Sequence, residues 1–592
     1  MRRPNRQSMR RPAVNALKAL VIRQRQRMRE SELAFIVLAV MAGIAAGWLT
    51  NLQGFLAHTL QQLFYAIDGN RLSALGEIRH PWRLLALPFG GLVLIGIAYL
   101  LRRRRRAPID VVEANALHSG RIPFIDNLII SAQTIISNGA GASVGLEAAY
   151  AQMGGGVASV LGQWFKLRRA DMRTLVGAGA GAAVGAAFGA PLAGAFYAFE
   201  IVIGAYTPSA IAPVIAAALG AAFITRELGV EPYLIAASSA RDLTTGDYFI
   251  YAVLGLVCAL VGILIMRLVT FTELHVQRLT RFARWKPLVG GLLLMPLAWV
   301  SPQSLSAGHG AMHLNLAMQP AIHFLLMVLA LKIAASVISL SFGFRGGLFF
   351  ASLFLGSLVG LIFAAAVQLL PLGIELDPTQ SALVGMSALA VSIVGGPMTL
   401  AMLMLETTHD FALMGVVLTA SLVSSAFTRE MFGYSFSTWR LHIRGSIIRS
   451  PRDIGWMLSL TAGRIMRKDW ISAPATLSVA DFRARVPLGS ASKAILLDED
   501  EHYAGIVATS SAYNPELPQD SAIGSLASLK GTTLSPTTDI RAMIKAFDVA
   551  VADELAVVDG VGRVVGVVTE RHARRRYFEE IEASQRELFG ES

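Results

Sequence analysis

The chain of 592 residues is short of charge: 16% of it is Asp, Glu, Lys or Arg, against the roughly 25% typical of soluble domains. That deficit excludes an ordinary cytosolic enzyme. Thiols are nearly absent too, and a lone cysteine, Cys258, can form neither an internal disulfide nor a cysteine-rich zinc or iron–sulfur centre. Acidic residues are missing from the first 29 positions, which carry ten Lys or Arg. Hydrophobic residues make up 54% of the chain, gathered in runs near or above the roughly 20 residues that a membrane-spanning helix needs. This is the composition of a polytopic membrane protein.

The net charge of +12 is localised. Residues 1–31 read as a basic cytoplasmic arm with no cleavage pattern after it, and not as a nucleic-acid-binding segment. The apolar run Trp82 to Leu101 ends in five arginines, Arg102 to Arg106. Residues 451–592 hold 16 basic and 20 acidic side chains, an ordinary soluble composition. Both clusters therefore mark topology: the termini are expected in the cytoplasm and the protein in the plasma (inner) membrane.

Residues 32–450 form the expected membrane domain. Gly141, Gly145, Leu146 and Gly154 recur at an offset of 202 as Gly343, Gly347, Leu348 and Gly356; Pro191 and Glu200 recur at an offset of 206 as Pro397 and Glu406. The spacing predicts two related halves, about 32–230 and 245–445, each with a glycine-rich break followed by a small-residue helix. Such duplications build transporters whose substrate site lies between the repeats. Beyond residue 450 a second repeat appears: Asp498 to Gly505 returns 61 residues later as Asp559 to Gly566, each copy reading helix, strand, turn, strand, helix.

In Gly141-Ala142-Ser143-Val144-Gly145-Leu146-Glu147, small residues allow close backbone approach and lead into a helix start, where free amides and the positive dipole favour anions. Glu147 stands at that positive end, where a carboxylate can occupy an anion's place until protonation or displacement removes it. An ionisable residue in such an apolar stretch points to function. Gly177, Gly181 and Gly185 carry small-xxx-small spacing, read as a tight contact within the subunit before a dimer seam.

These residues resemble the CLC chloride channels and proton-coupled chloride exchangers. That family's gate motif G-R-E-G-P-x-x-Q is matched by Gly145 to Gln152, its N-A-P-L-A-G helix start by Gly189 to Gly194 leading into Phe199-Glu200, its G-x-F-x-P by Gly347 to Ala351, and its A-P-L-T by Gly396-Pro397-Met398-Thr399. The resemblance covers residues 30–445 in the correct order. It implies an all-α, CLC-like fold of two related halves and a homodimer with a pathway in each subunit. It also implies transport of chloride or similar anions past a gate at Glu147, along Gly145, Leu146, Gly347, Leu348 and Phe349. The terminal repeat resembles a tandem CBS domain, an α/β pair over about 466–583.

Departures from the family bear on mechanism. The family's anion-binding serine aligns with Arg105, which either attracts the anion or lies at the membrane surface as a positive-inside stop. Its inner tyrosine aligns with Ser437, and its proton-relay glutamate, next after Glu200, is replaced by Ile201. Channel-like anion movement is therefore expected, with a proton-coupled antiporter as the alternative. The nucleotide motif of the CBS pair reads Thr569-Glu570-Arg571-His572, with histidine at the usual aspartate, so an adenine nucleotide is doubtful. No metal and no other cofactor is expected. Two further alternatives are a membrane-anchored CBS sensor with a degenerate pore, and an intramembrane serine protease on Ser143 in G-x-S-x-G with His309.

Overall fold

The computed structural model describes residues 31–67, 71–101, 108–230, 243–278, 284–371, 373–433, 435, 439 and 460–589. The basic arm, the arginine run with Arg105, and Ser437 lie outside the described residues. The chain divides into two compact units, 1–453 and 454–592.

Sixteen α-helices are described in the first unit, and they fall into two sets of eight. The first set is α1 (Glu32–Tyr65), α2 (Ala86–Leu100), α3 (Val111–Leu117), α4 (Phe124–Gly139), α5 (Glu147–Phe165), α6 (Arg169–Phe188), α7 (Pro191–Tyr197, continued by a π-helical turn to Ile203) and α8 (Pro208–Glu227). The second is α9 (Thr245–Arg278), α10 (Lys286–Val300), α11 (His309–Met318), α12 (Ile322–Ser341), α13 (Phe349–Gln368), α14 (Pro378–Val394), α15 (Pro397–Thr408) and α16 (Phe411–Met431). The first helix of each set has 34 residues and the second 15. Among the described residues, seven helices are long and apolar enough to cross a membrane.

Two apolar runs that read as continuous in the sequence are broken. The run 173–206 divides at Gly189-Ala190 between α6 and α7, and 379–405 at Gly395-Gly396 between α14 and α15. Proline opens the second helix in each case, its missing N–H costing nothing in a first turn. Non-helical backbone at this depth needs internal hydrogen-bond partners. The repeat supplies them reciprocally: Glu200 accepts from the Met398 and Thr399 amides at the start of α15, at 3.2 and 2.8 Å. Glu406 accepts from Leu192 and Ala193 at the start of α7, at 2.9 and 2.8 Å. Each half thus caps the short helix of the other.

Glycine sets the closest helix contacts in both halves. A Cβ on Gly154 of α5 would stand 2.3 Å from the Gly179 carbonyl oxygen of α6, and one on Gly356 of α13 2.3 Å from that of Gly385 in α14. The small-residue stripe of α6 is an internal contact: a Cβ at Gly177 would meet Ile203, and one at Gly181 the Gly194 carbonyl, both in the same subunit.

The second unit holds a three-stranded sheet, β1 (Ser472–Pro474), β2 (Lys493–Leu497) and β3 (Tyr503–Ala508), and a pair, β4 (Glu554–Val558) and β5 (Val564–Thr569). The 61-residue repeat governs it in detail. Asp498 Oδ1 accepts from the amides of Asp500 and His502, and Asp559 Oδ1 from those of Val561 and Arg563. Arg467 bridges to Val567 while Ser528 bridges to Ile506, so each copy's leading segment pairs with the other copy's strand. The unit is an intertwined pseudo-dimer.

Candidate functional site

The two glycine-rich breaks meet. Gly145 N–H donates to the Gly347 carbonyl at 2.9 Å and Gly347 N–H to that of Gly145 at 3.0 Å, an antiparallel bridge. The surrounding bonds repeat at the same offset, since Ser143 N–H donates to Ser339 Oγ and Arg345 N–H to Ser137 Oγ, both at 3.0 Å. The chain crosses the two breaks in opposite directions, so a local two-fold relates the halves at this point. Gly141 and Gly343 turn into the breaks at φ of +93° and +97°, in the region that glycine alone enters freely.

Glu147, 4% exposed, opens α5 immediately after the bridge, and its Oε1 accepts from the Phe350 amide at the start of α13 at 3.2 Å. The carboxylate of one half therefore occupies the helix start of the other. Its Oε2 has no hydrogen-bond partner among the described residues. The two bridging glycines make room for it: a Cβ on Gly145 would stand 2.0 Å from Oε2, and one on Gly347 3.1 Å. Aromatic rings wall the position, with Phe188 stacked on Phe350 at 5.9 Å and Tyr197 edge-on to Phe349 at 6.2 Å.

Two cavities approach the bridge. The first, about 490 Å³, is lined by Glu147, Asp110, Tyr197, Ile201 and Arg345 among others, and also by Gly347, Leu348 and Phe349. The second, about 400 Å³, is lined by Leu146 together with His58, Gln61, Arg71, Asn138 and His309. Glu147 and Leu146 are adjacent in sequence and face different cavities. Of the expected site residues, Gly145, Leu146, Glu147, Gly347, Leu348 and Phe349 are thus brought together, and Ile201 puts an apolar side chain in the wall of the first cavity.

Phe350, Tyr197, Asp110, Arg71 and a wall role for His309 were not foreseen. Phe350 acts through its backbone N–H, which any residue other than proline supplies, so no side-chain signal marks it. Asp110 caps α3, accepting from the Glu113 amide at 2.8 Å, a capping pattern hidden behind the arginine run.

Ser143 Oγ lies 3.0 Å from Ser336 Oγ and has no imidazole bonded to it among the described residues, while His309 is stacked on Phe350 at 3.4 Å. The pairing that the protease alternative needs is not made. In the second unit, Thr569 ends β5 opposite Glu554, and His572 Nδ1 lies 3.2 Å from Arg575 Nη2. Burial, then the Arg575 and Arg576 charges, hold this imidazole below the ordinary histidine range. The position 61 residues earlier is Ser511, so neither copy carries an acid there. No group of three or more His, Cys, Asp or Glu among the described residues is placed to hold a metal ion.

A family model described as voltage gated chloride channel matches residues 90–429. The chain is 26% identical over 402 residues to the voltage-gated ClC-type chloride channel ClcB of Salmonella dublin, covering 67% of this chain and 96% of that one. It is 25% identical over 414 residues to the ClcB of Escherichia coli O81, covering 69% and 98%. Among solved structures it is similar to a slow cyanobacterial Cl⁻/H⁺ antiporter, with a TM-score of 0.60, 23% identity and coverage of 69% and 97%. A eukaryotic CLC transporter matches with a TM-score of 0.57 and 16% identity over 91% of this chain and 98% of that one, a span that extends into the second unit. With the family model spanning more than half the chain, on a fold of two eight-helix sets, this protein belongs to the voltage-gated chloride channel family, as an integral multi-pass anion-transport protein and not an enzyme.

Proposed function

We propose that the protein conducts chloride or a similar small anion between the two cavities, and that Glu147 is the gate. The observation that carries this reading is the seat of its carboxylate: buried, held by the Phe350 amide, with one oxygen unpartnered among the described residues, where the two halves meet. A transported anion needs the same amide donors. When Glu147 is protonated or displaced, those donors pass to the anion, and Gly145, Leu146, Gly347, Leu348 and Phe349 form the passage. A hydrogen bond to a charged group contributes about 1.5–3 kcal/mol, enough to change occupancy roughly ten- to hundredfold.

The movement is channel-like. Ile201 cannot carry a proton, and it lines the first cavity where the family resemblance puts a relay glutamate. A proton-coupled antiporter is the second reading, favoured by the solved structure described as a Cl⁻/H⁺ antiporter. We assign the first cavity to the cytoplasmic side. At 1.5 Å per residue the 34-residue α1 is about 50 Å long. It starts beside the basic arm, and His58 and Gln61, near its far end, line the second cavity. By resemblance Ser437 stands for the family's inner tyrosine, while Arg105 either attracts the anion or is a positive-inside stop at the membrane surface. The second unit is a tandem CBS pair by its intertwined repeat, with a dimerising or regulatory role and a nucleotide disfavoured by His572 and Ser511; the assembly is a homodimer in the inner membrane with both termini cytoplasmic.

Anion efflux from liposomes, with proton movement recorded together, tests the reading. Glu147→Ala is expected to raise efflux about tenfold at neutral pH and to flatten its pH dependence. Chloride gradients that drive proton uptake would replace channel by antiporter. Efflux from neither wild type nor variant would leave a sensor with a degenerate pore.

A further inference from the structure

We propose that Lys332 is a positioning residue for the gate, a buried ammonium that fastens the first glycine-rich break, and through it the seat of Glu147, from the opposite half of the membrane unit. Lys332 lies on α12 and is 0% exposed. Burying an ammonium in a membrane segment is expensive, so such a residue is expected to do what an apolar one could not. Its Nζ donates to three consecutive backbone carbonyls, that of Ser306 at 2.6 Å and those of Ser304 and Leu305 at 3.4 Å, and stands 5.8 Å from the centre of the Phe354 ring on α13. The ammonium gathers a turn.

Ser306 ties that turn to the break. Its φ of +52° is uncommon for a residue with a side chain, and three further bonds meet at it. Its N–H donates to the Gly141 carbonyl at 3.0 Å, where the break begins, and its Oγ accepts from Asn138 Nδ2 and Gln61 Nε2, both at 3.2 Å. Asn138 Nδ2 also donates to the Val144 carbonyl at 2.7 Å, directly before the bridging Gly145.

The same face of α12 reaches the break again. Ser336 and Ser339 follow Lys332 at spacings that put all three on one helical stripe. Ser336 Oγ lies 3.0 Å from Ser143 Oγ, and Ser339 Oγ accepts from the Ser143 amide at 3.0 Å. One stripe of a second-half helix thus holds the first-half break at Gly141 and at Ser143. The residues 202 positions before Ser336 and Ser339 are Thr134 and Ser137, and Ser137 holds the Arg345 amide in the matching way, but the residue 202 positions before Lys332 is Ile130. The hydroxyls are duplicated and the cation is not. It serves the break that leads to Glu147 and not the one that leads to Phe349. Glu147 keeps its Phe350 amide at 3.2 Å, the long end of the N–H···O range, so a displacement of the break on the order of half an ångström weakens that bond sharply.

That this fastening governs conduction rests on the gate proposed above; that Lys332 holds the break does not. Chloride efflux from liposomes of the full chain is compared for wild type and Lys332→Met, each with and without Glu147→Ala. Lys332→Met is expected to raise efflux about threefold, part of what a hydrogen bond to a charged group contributes, and to add nothing once Glu147 is gone. A gain that vanishes with the gate is not what a damaged fold produces. Lys332→Arg, which keeps a charged donor, is expected to stay within twofold of wild type. Where Glu147→Ala raises efflux, an unchanged or lowered rate in Lys332→Met, the same rise with and without Glu147, or the same rise in Lys332→Arg overturns the proposal. Where Glu147→Ala leaves efflux at the wild-type rate, the gate reading falls, and hydrogen exchange of the amides from Ser143 to Leu146 decides the fastening alone. Faster exchange in Lys332→Met keeps it, and unchanged exchange overturns it. Should Lys332→Met fail to fold, Lys332→Gln, which retains one donor, is read in the same way, with thermal unfolding close to wild type as its control.

Discussion

The membrane unit and the soluble unit are both duplications, with offsets of 202 to 206 residues in one and 61 in the other, yet they use their copies differently. In the soluble unit both copies keep the same polar turn, Asp498 and Asp559 accepting matching amides. In the membrane unit the scaffold repeats while the chemistry does not: the residue 202 positions after Glu147 is Phe349. Two equal carboxylates at one bridge would repel each other in a medium of low dielectric. One carboxylate held by a backbone amide of the other half makes a site that can be vacated. Symmetry builds the frame, and its local failure leaves a single carboxylate at the bridge.

That contrast can be broken most directly at the bridge. Gly145→Ala places a methyl where Glu147 Oε2 now lies, so the carboxylate is expected to leave Phe350 and efflux to rise about tenfold with a flattened pH profile, as in Glu147→Ala. Gly347→Ala, with 3.1 Å of room, is expected to change efflux less than threefold. Equal effects would mean that the bridge is functionally symmetric.

The scaffold, by contrast, is expected to respond symmetrically. Gly154→Val and Gly356→Val each drive a side chain into a backbone carbonyl and cost about 1–3 kcal/mol or more, as overpacked cores do. Thermal unfolding in detergent should show similar losses for the two. The reciprocal caps come next: Glu200→Ala gives up the Met398 and Thr399 amides and the Thr399 hydroxyl, and Glu406→Ala two amides. Each costs about 0.5–2 kcal/mol on the scale of helix caps, with Glu200 the larger.

The smallest effect belongs to the soluble unit. The Arg563 and Val561 amides hold the Asp559 carboxyl below the usual carboxylate range. Its contribution to stability is therefore complete above the ordinary aspartate value of about 4 and is lost as pH falls through the lowered one. Limited proteolysis of the full chain should show a slight acid-side weakening of this unit that Asp559→Asn abolishes. An unchanged acid profile would make the repeated turn electrostatically idle.

Much of this was legible before any coordinates. The offset of 202 already paired Gly145 with Gly347, because a bridge on a pseudo-two-fold axis needs the same small residue from both sides. Glu147 stood out because a carboxylate among glycines and alanines in a membrane segment has few reasons to be there. The breaks at Gly189-Ala190 and Gly395-Gly396 were marked by the family's motifs and not by hydropathy, which does not change where a helix stops and the next one starts. Reciprocal capping by Glu200 and Glu406 could not be read from positions alone: both glutamates were visible, but their partners lie about 200 residues away.

Composition and periodicity by themselves determined that this chain lives in a membrane, that each of its units is doubled, and that one carboxylate stands at a helix start, because burial, repetition and charge are written residue by residue. The two-fold meeting of the halves at Gly145 and Gly347, the Phe350 amide under Glu147 and the reciprocal caps of Glu200 and Glu406 were decided only by the tertiary structure. Backbone donors carry no sequence signature, and the fold alone decides which of them faces a carboxylate about 200 residues away.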